Sequence, residues 1–560
     1  MQSMTRLQFL IALILSAQAP VIRVDTRLVE VNVIVRDQNN RPVEGLTKSD
    51  FTLYDRSIEK KVALFSVGSV HQLQKPPVAL PAGIYTNRPE QRVESPTTVT
   101  VVLLDAVNTR IEDQAYAKAQ FTRFLTQIRP QDRVAVYALG DQLRILHDFT
   151  GDSKTLLNSL ARFRGDPLPY VAESEPDPAN TIDPTMDKWL NDKNALIADM
   201  AIQKRVRATV GAMEAIANHI SRLPGRKNLV WITGSFPFTV GQKATESITN
   251  WEDVQDPTQT GAAKGTGGMS KSSVTGGSGA SYSVYGFDNN SLPGNTQPAR
   301  EAFASFDADL SRATKALNDA DIAVYPVDAR GLLALPKIMT AQSSGIIKPT
   351  RVGSQALPPL SLTPAGMNTM QVMAENTGGR AFYNTNDLEH AIRDAVDDSE
   401  VTYTLGFYAD TLDSEFHKLK VVVDRKHVEV RYRKGYLASP SIAPAEAVIQ
   451  DALWSPLDST GVSLAGRVEK VSAGLRVTVS VEPTDLVSPV SVEFAFAQIA
   501  NDGRNLETIR QVKAMDLDPT KAFIVNKTLP ANPATTQIRV ILLDRNTGRL
   551  GSLTLPVPKP

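Results

Sequence analysis

Residues 98 to 109 read Thr98-Val99-Thr100-Val101-Val102-Leu103-Leu104-Asp105-Ala106-Val107-Asn108-Thr109. The opening residues form a β-branched, apolar run without polar alternation. That is the pattern of a strand covered on both faces, and so of a parallel sheet with helices on either side. The run stops at a carboxylate, and a hydroxyl follows four positions on. Doubly wound sheets bind ligands just beyond the carboxyl ends of their strands, so Asp105 and Thr109 are placed where such a fold acts.

The chain from about 97 to 399 repeats this alternation of strand and helix. Asp132–Leu139, Asn228–Thr233 and Ile322–Asp328 read as further strands of the sheet, with an edge strand at Leu143–Leu146. Pro326 moves the Ile322–Asp328 strand toward the sheet margin, because proline lacks a ladder N–H. A long helix carries Val206, Val210, Met213, Ile216, Ala217 and Ile220 at helical spacing, and Ala381–Tyr383 is a short strand. The fold class expected is α/β, a doubly wound and mostly parallel sheet with right-handed crossovers. Three insertions interrupt it, at 165–184, 234–300 and 329–365, the second largely Gly/Ser-rich. In this topology all three emerge on the rim that carries Asp105, which suggests a recognition surface. The plainer alternative is tolerance of surface insertions, which cost little.

The flanks read as all-β sandwich domains. In residues 22–75, Val29, Val31, Val33 and Val35 share one parity and Glu30, Asn32 and Arg36 the other, so these strands are expected to expose one face. Residues 400–437 return to β. Both pieces are undersized alone, so they are expected to complete one sandwich around the inserted α/β domain. Pro76–Pro96 reads as a connector and 438–446 as a linker, and 447–560 reads as a C-terminal β-sandwich with turns at sandwich spacing.

A chain of 560 residues exceeds one core. Sixty basic residues balance sixty acidic ones, so no global field points to nucleic acid. There are no cysteines, and the six histidines are scattered, which argues against disulfides, thiol chemistry and zinc. Arg6, the apolar run Leu7–Leu15 and Ser16-Ala17-Gln18-Ala19 form a secretory signal peptide, residues 1–19. No second long apolar run follows, so the mature chain is expected to be secreted or periplasmic, with no membrane span.

The opening strand, the junction Pro224-Gly225-Arg226-Lys227-Asn228-Leu229-Val230-Trp231 and the segment Thr377-Gly378-Gly379-Arg380-Ala381-Phe382-Tyr383 together resemble the von Willebrand factor type A (VWA) domain. The chain looks most like the exported VWFA-related family of acidobacterial type. The resemblance implies a doubly wound domain acting in protein–protein contact, with a protein or peptide partner and no known reaction. It also implies a metal-ion-dependent adhesion site, in which Asp-x-Ser-x-Ser and two later loop residues hold Mg²⁺. Carried over by position, Asp105 and Thr109 match. Val107 stands for the first serine, Gly234 falls where the later aspartate is expected, and the threonine loop has no counterpart after Gly165. The implied metal site is therefore degenerate: Asp105 and Thr109 remain of it, Asn108 or Asp328 could substitute, and no cofactor is expected. The plain reading of Asp105 is a turn or helix N-cap carboxylate.

The ligand-binding rim expected from these readings comprises Asp105, Asn108, Thr109, Gly234, Ser235 and Asp328. Two readings compete with metal-free binding. One is Mg²⁺-dependent adhesion. The other is a hydrolase using Asp105 with Asp328, although Gly-x-Ser-x-Gly is absent around Ser235. Arg164-Gly165-Asp166 spells an integrin-type tripeptide of the kind chance supplies. Arg226 and Lys227 sit at a helix end, where cations suit the dipole. Arg431-Tyr432-Arg433-Lys434 reads as a solvated strand face, and Trp231 as apolar core.

Overall fold

The computed structural model describes residues 28–69, 80–88, 99–163 (without 130, 131 and 141), 184–236 (without 224 and 235), 309–331, 367–438 (without 412 and 414) and 444–558 (without 487, 516, 517, 519, 520 and 522), with backbone alone at 69, 184–200, 367–368 and 515. The signal-peptide reading and the Arg164-Gly165-Asp166 tripeptide lie outside the described residues.

The chain opens with β1 (Leu28–Asp37), β2 (Phe51–Asp55), β3 (Ile58–Lys60) and β4 (Leu64–Ser69). After β5 (Tyr85–Thr86) comes the central unit: β6 (Val99–Asp105), α1 (Ile111–Thr126), β7 (Val134–Leu139), β8 (Leu143–Thr150), α2 (Ser153–Arg162), α3 (Pro184–Ile220) and β9 (Lys227–Thr233). It ends with α4 (309–319), β10 (Ile322–Asp328), α5 (Met367–Thr377) and α6 (Leu388–Asp397).

The central sheet has the order β10-β9-β6-β7-β8, parallel except for the antiparallel edge strand β8. Every residue of β6 is buried. Alternation decides its partners: Val99, Val101 and Leu103 join one core with α3, α4 and α5, while Val102 and Leu104 join another with α1, α2 and α6. Pro326 is accommodated because β10 is the last full strand; among the described residues only Phe382 makes a bridge outside it, to Val327. The strand order reverses between β6 and β9, which makes that junction the topological switch point.

The strands β11 (Val401–Tyr408), β12 (Phe416–Val423), β13 (Val428–Arg431) and β14 (Gly435–Leu437) pair with the N-terminal ones, in the orders β13-β1-β11-β4 and β14-β12-β2-β3. The two sheets share a core built on Val31, Val33, Leu53, Tyr403, Leu405 and Val421. The polar face of β1 is not exposed as its alternation suggests: Asn32 and Arg36 are 8% and 4% exposed. That face rests on the amino-terminal edge of the central sheet. Asp398 is the hub of the seam, accepting from Arg36 Nε (2.9 Å), Arg431 Nη2 (2.9 Å) and Tyr325 Oη (2.9 Å). Asn32 Nδ2 donates to Asp321 Oδ1 at 3.1 Å. One expectation is corrected here: Arg431 and Arg433 belong to the seam rather than to a solvated face. Arg226 and Lys227 are buried and donate to carbonyls at helix ends, Lys227 Nζ to Ala320 O at 2.8 Å and Arg226 Nη2 to Gly378 O at 2.6 Å.

The last unit contains α7 (Ala445–Trp454), β15 (Leu464–Val471), β16 (Gly474–Val481), β17 (Val490–Ala500), β18 (Asn505–Met515), β19 (Phe523–Leu529), β20 (Thr535–Asp544) and β21 (Leu550–Pro556). Its sheets run β19-β16-β15-β5 and β18-β17-β20-β21 around a common core. Two expectations change. The region is not purely β, because α7 covers the outer face of the second sheet through Ile449 and Ala452. The connector is not a plain spacer, because its residues Tyr85–Thr86 form an edge strand on β15. The unit seats on the end of α3, where Arg222 Nη1 meets Asp485 Oδ1 at 2.6 Å and Thr460 N donates to Asn218 O at 2.8 Å.

Candidate functional site at the switch point

Asp105 ends β6 beside the reversal of strand order and is 2% exposed. Its Oδ2 accepts from Asn108 Nδ2 (2.7 Å), Trp231 Nε1 (2.9 Å) and Thr233 Oγ1 (3.1 Å). Its Oδ1 accepts from Asn108 N at 3.1 Å, closing a turn of the kind Asp side chains make with backbone just ahead. Helix α1 begins only at Ile111, so Asp105 is a turn carboxylate and not an N-cap. Burial pushes its carboxyl above the ordinary Asp range, and the four donors pull back less strongly.

The surrounding residues are held as tightly. Asn108 Nδ2 also donates to Thr209 Oγ1 (2.7 Å), and Asn108 Oδ1 accepts from Arg205 Nε (3.0 Å). Thr109 Oγ1 donates to Asp105 O at 2.5 Å and accepts from Gly234 N at 2.8 Å. Gly234 sits in close approach: a Cβ there would lie 3.0 Å from Asn108 O and 3.2 Å from Thr109 Cα, so a side chain would press on that loop.

The structure thus brings Asp105, Asn108, Thr109 and Gly234 together. Asp328 is two strands away from Asp105, roughly 10 Å at ordinary strand spacing. It is 1% exposed and held by Arg330 through Nε–Oδ1 (2.9 Å) and Nη2–Oδ2 (2.8 Å). Ser235 lies outside the described residues. Trp231, Thr233, Thr209 and Arg205 were not anticipated here. Trp231 carried a usable signal, since a buried indole N–H needs an acceptor. Among the described residues, no group of three or more His, Asp or Glu side chains is placed to hold a metal ion.

Two strands besides β6 end at this edge. β9 and β10 run parallel to β6 and end there, so the segments after Phe236 and Gly331 depart from it. Helix α2 starts beside the far end of α1 (Ser153 Oγ to Leu125 O, 2.5 Å) and climbs to Phe163, whose carbonyl accepts from Lys118 Nζ at 2.7 Å. Helix α3 descends past Arg205 and Thr209 to β9.

Fold and site together define a doubly wound α/β unit whose switch-point crevice is closed by hydrogen bonds. No protein-family profile and no curated protein matches the chain. Among solved structures it is similar to an aerotolerance-related membrane protein from Bacteroides fragilis carrying multiple mutations to serine (TM-score 0.23, 12% identity, 54% of this chain and 98% of that one). It is also similar to the vWF domain of the type V pili tip protein Mfa5 from Porphyromonas gingivalis (TM-score 0.20, 10% identity, 41% of this chain and 80% of that one). The three N-terminal domains of Mfa5 give a TM-score of 0.24 at 8% identity, over 90% of this chain and 78% of that one.

Proposed function

We propose that the chain is an exported VWA-type binding protein that holds a protein or peptide partner at the strand-end edge of its α/β domain, between flanking β-sandwich domains, and does so without a metal. The observation that carries this reading is the shared edge. The chain leaves β9 and β10 at this edge, at Phe236 and Gly331, while the opposite edge carries the seam at Asp398. Support for export comes from Leu7–Leu15 and the small residues after it. No helix among the described residues is long and apolar enough to cross a membrane.

The residues at Asp105 do not suit Mg²⁺. A hard cation needs free oxygen lone pairs in near-octahedral array. Here N–H groups of Asn108 and Trp231 already point at the carboxylate, and the Thr109 hydroxyl is engaged twice. The same geometry disfavours a hydrolase, because Asp105 is enclosed by donors and Asp328 is clamped by Arg330. Calorimetry of the full chain with Mg²⁺ or Mn²⁺ tests the metal-free reading. No saturable heat is expected; saturable binding abolished by Asp105→Ala overturns it and favours metal-dependent adhesion.

A further inference from the structure

Helix α3 meets the switch point through two residues one turn apart. Thr209 Oγ1 accepts from Asn108 Nδ2 at 2.7 Å and donates to Arg205 O at 3.0 Å, while Arg205 Nε donates to Asn108 Oδ1 at 3.0 Å. Asn108 is fixed in this sense, because its Nδ2 also donates to Asp105 Oδ2. Its oxygen therefore faces Arg205 and orients the guanidinium. Most of that guanidinium is unused. It carries five N–H donors in a planar fork, and Nε supplies one. Nη2 is buried without an acceptor, and among the described residues no carboxylate pairs with Arg205. Arg312, Arg330 and Arg393 of the same unit each close on an acid instead.

A buried donor without an acceptor is costly, and more so when it is charged. Asp105 does not answer it, because its oxygens are occupied by Asn108, Trp231 and Thr233, and Asn108 stands between the two side chains. The unmet donor lies at the carboxyl ends of the strands, where doubly wound sheets take their ligands. We propose that Arg205 is a carboxylate-binding residue, and that the group it takes is an acidic side chain or the C-terminus of the peptide partner. The inference rests on the binding role proposed above for this edge and names the chemistry recognised there. A carboxylate is planar and singly charged, and its two oxygens match the guanidinium fork, so one pair forms two parallel N–H···O bonds. Arg205 is half-buried, so part of the side chain meets solvent and the pair is screened less than on an open surface. Asn108 is the positioning residue, since holding Nε in advance lowers the ordering cost of binding.

The test follows the side-chain Nε–H signals of the full chain, labelled isotopically at arginine, by NMR; the Arg205 signal is assigned by its loss in Arg205→Lys. Sodium acetate is expected to move that signal saturably, and sodium chloride at equal ionic strength is not. An equal response to both salts, or none to acetate, overturns the site. A display library of random peptides with free C-termini is then selected against the same chain. The selected peptides should bind Arg205→Ala at least about tenfold more weakly, the loss of a charged, hydrogen-bonded pair. Arg205→Lys keeps the charge without the fork and should fall between. Amidating the peptide C-terminus separates the two sources: unchanged binding assigns an acidic side chain, and a comparable loss assigns the terminus. Peptides that bind Arg205→Ala as tightly as the native chain, with that variant retaining its native circular dichroism, overturn the inference and leave the reading of the edge standing. An acetate response with no peptide selected supports the carboxylate site and overturns the peptide-partner reading instead.

Discussion

Asp105 is a buried carboxylate served by neutral donors, so its contribution is best tested by a change that keeps its shape. Asp105→Asn turns one acceptor oxygen into an N–H facing the donors of Asn108, Trp231 and Thr233. A loss of about 2–4 kcal/mol in urea unfolding is expected, the range for breaking a buried polar network. An unchanged midpoint would show that the network adds nothing to the fold. Glu214 on α3 gives a pH-dependent counterpart. Its carboxylate meets Arg312 Nε at 2.7 Å with 14% of the side chain exposed, while Arg312 keeps 42%. Burial pushes Glu214 up to about 7, with Asp451 and Asp309 adding repulsion that Arg312 only partly offsets. The folded value lies above the unfolded one, so the group's contribution is present in full below about pH 4.5 and is lost as pH rises to about 7. Unfolding free energies at pH 5 and pH 7.5 should therefore differ by about 2–3 kcal/mol more in the native chain than in Glu214→Gln.

At the scale of elements, the seam at Asp398 joins β1, β10 and β13 through one carboxylate. Asp398→Ala removes the acceptor that Arg36, Arg431 and Tyr325 share, and a loss of about 3–5 kcal/mol is expected. Denaturation should then resolve into two transitions, the N-terminal sheet pair melting first; a single transition at the native midpoint refutes the seam's role. This seam also shows what a sequence conveys. β6 is legible because an unbroken apolar run has few other uses, and the inward face of β1 is legible from the parity of its valines. The outward face is not: alternation places Asn32 and Arg36 on one side but cannot say that a second unit covers it. For the same reason Arg431 and Arg433 look solvated in isolation. Asp105 and Thr109 were legible as residues at a strand end, whereas Trp231, Thr233 and Thr209 were not, because their roles depend on how neighbouring elements fall against β6. Strand β5 is not legible in the sequence, because its two paired residues find their partner in β15, far along the chain.

For the whole molecule, the two edges of the central sheet are used in opposite ways. The amino-terminal edge carries buried ion pairs, and at the carboxyl-terminal edge the chain leaves β9 and β10 beside a closed network. Chain length in a connecting segment is nearly free, since each doubling costs only about 0.6 kcal/mol of loop entropy. Removing 240–298 should therefore shift stability by less than about 1 kcal/mol. If the segment contributes to partner recognition, the same deletion should abolish recovery of the partner in a pull-down from the native source, while Asp398→Ala should leave recovery intact at temperatures where all units remain folded. The reverse pattern, with stability lost and partner recovery unchanged, would make the segment part of the scaffold. The strand-end edge would then have no claim as the binding surface.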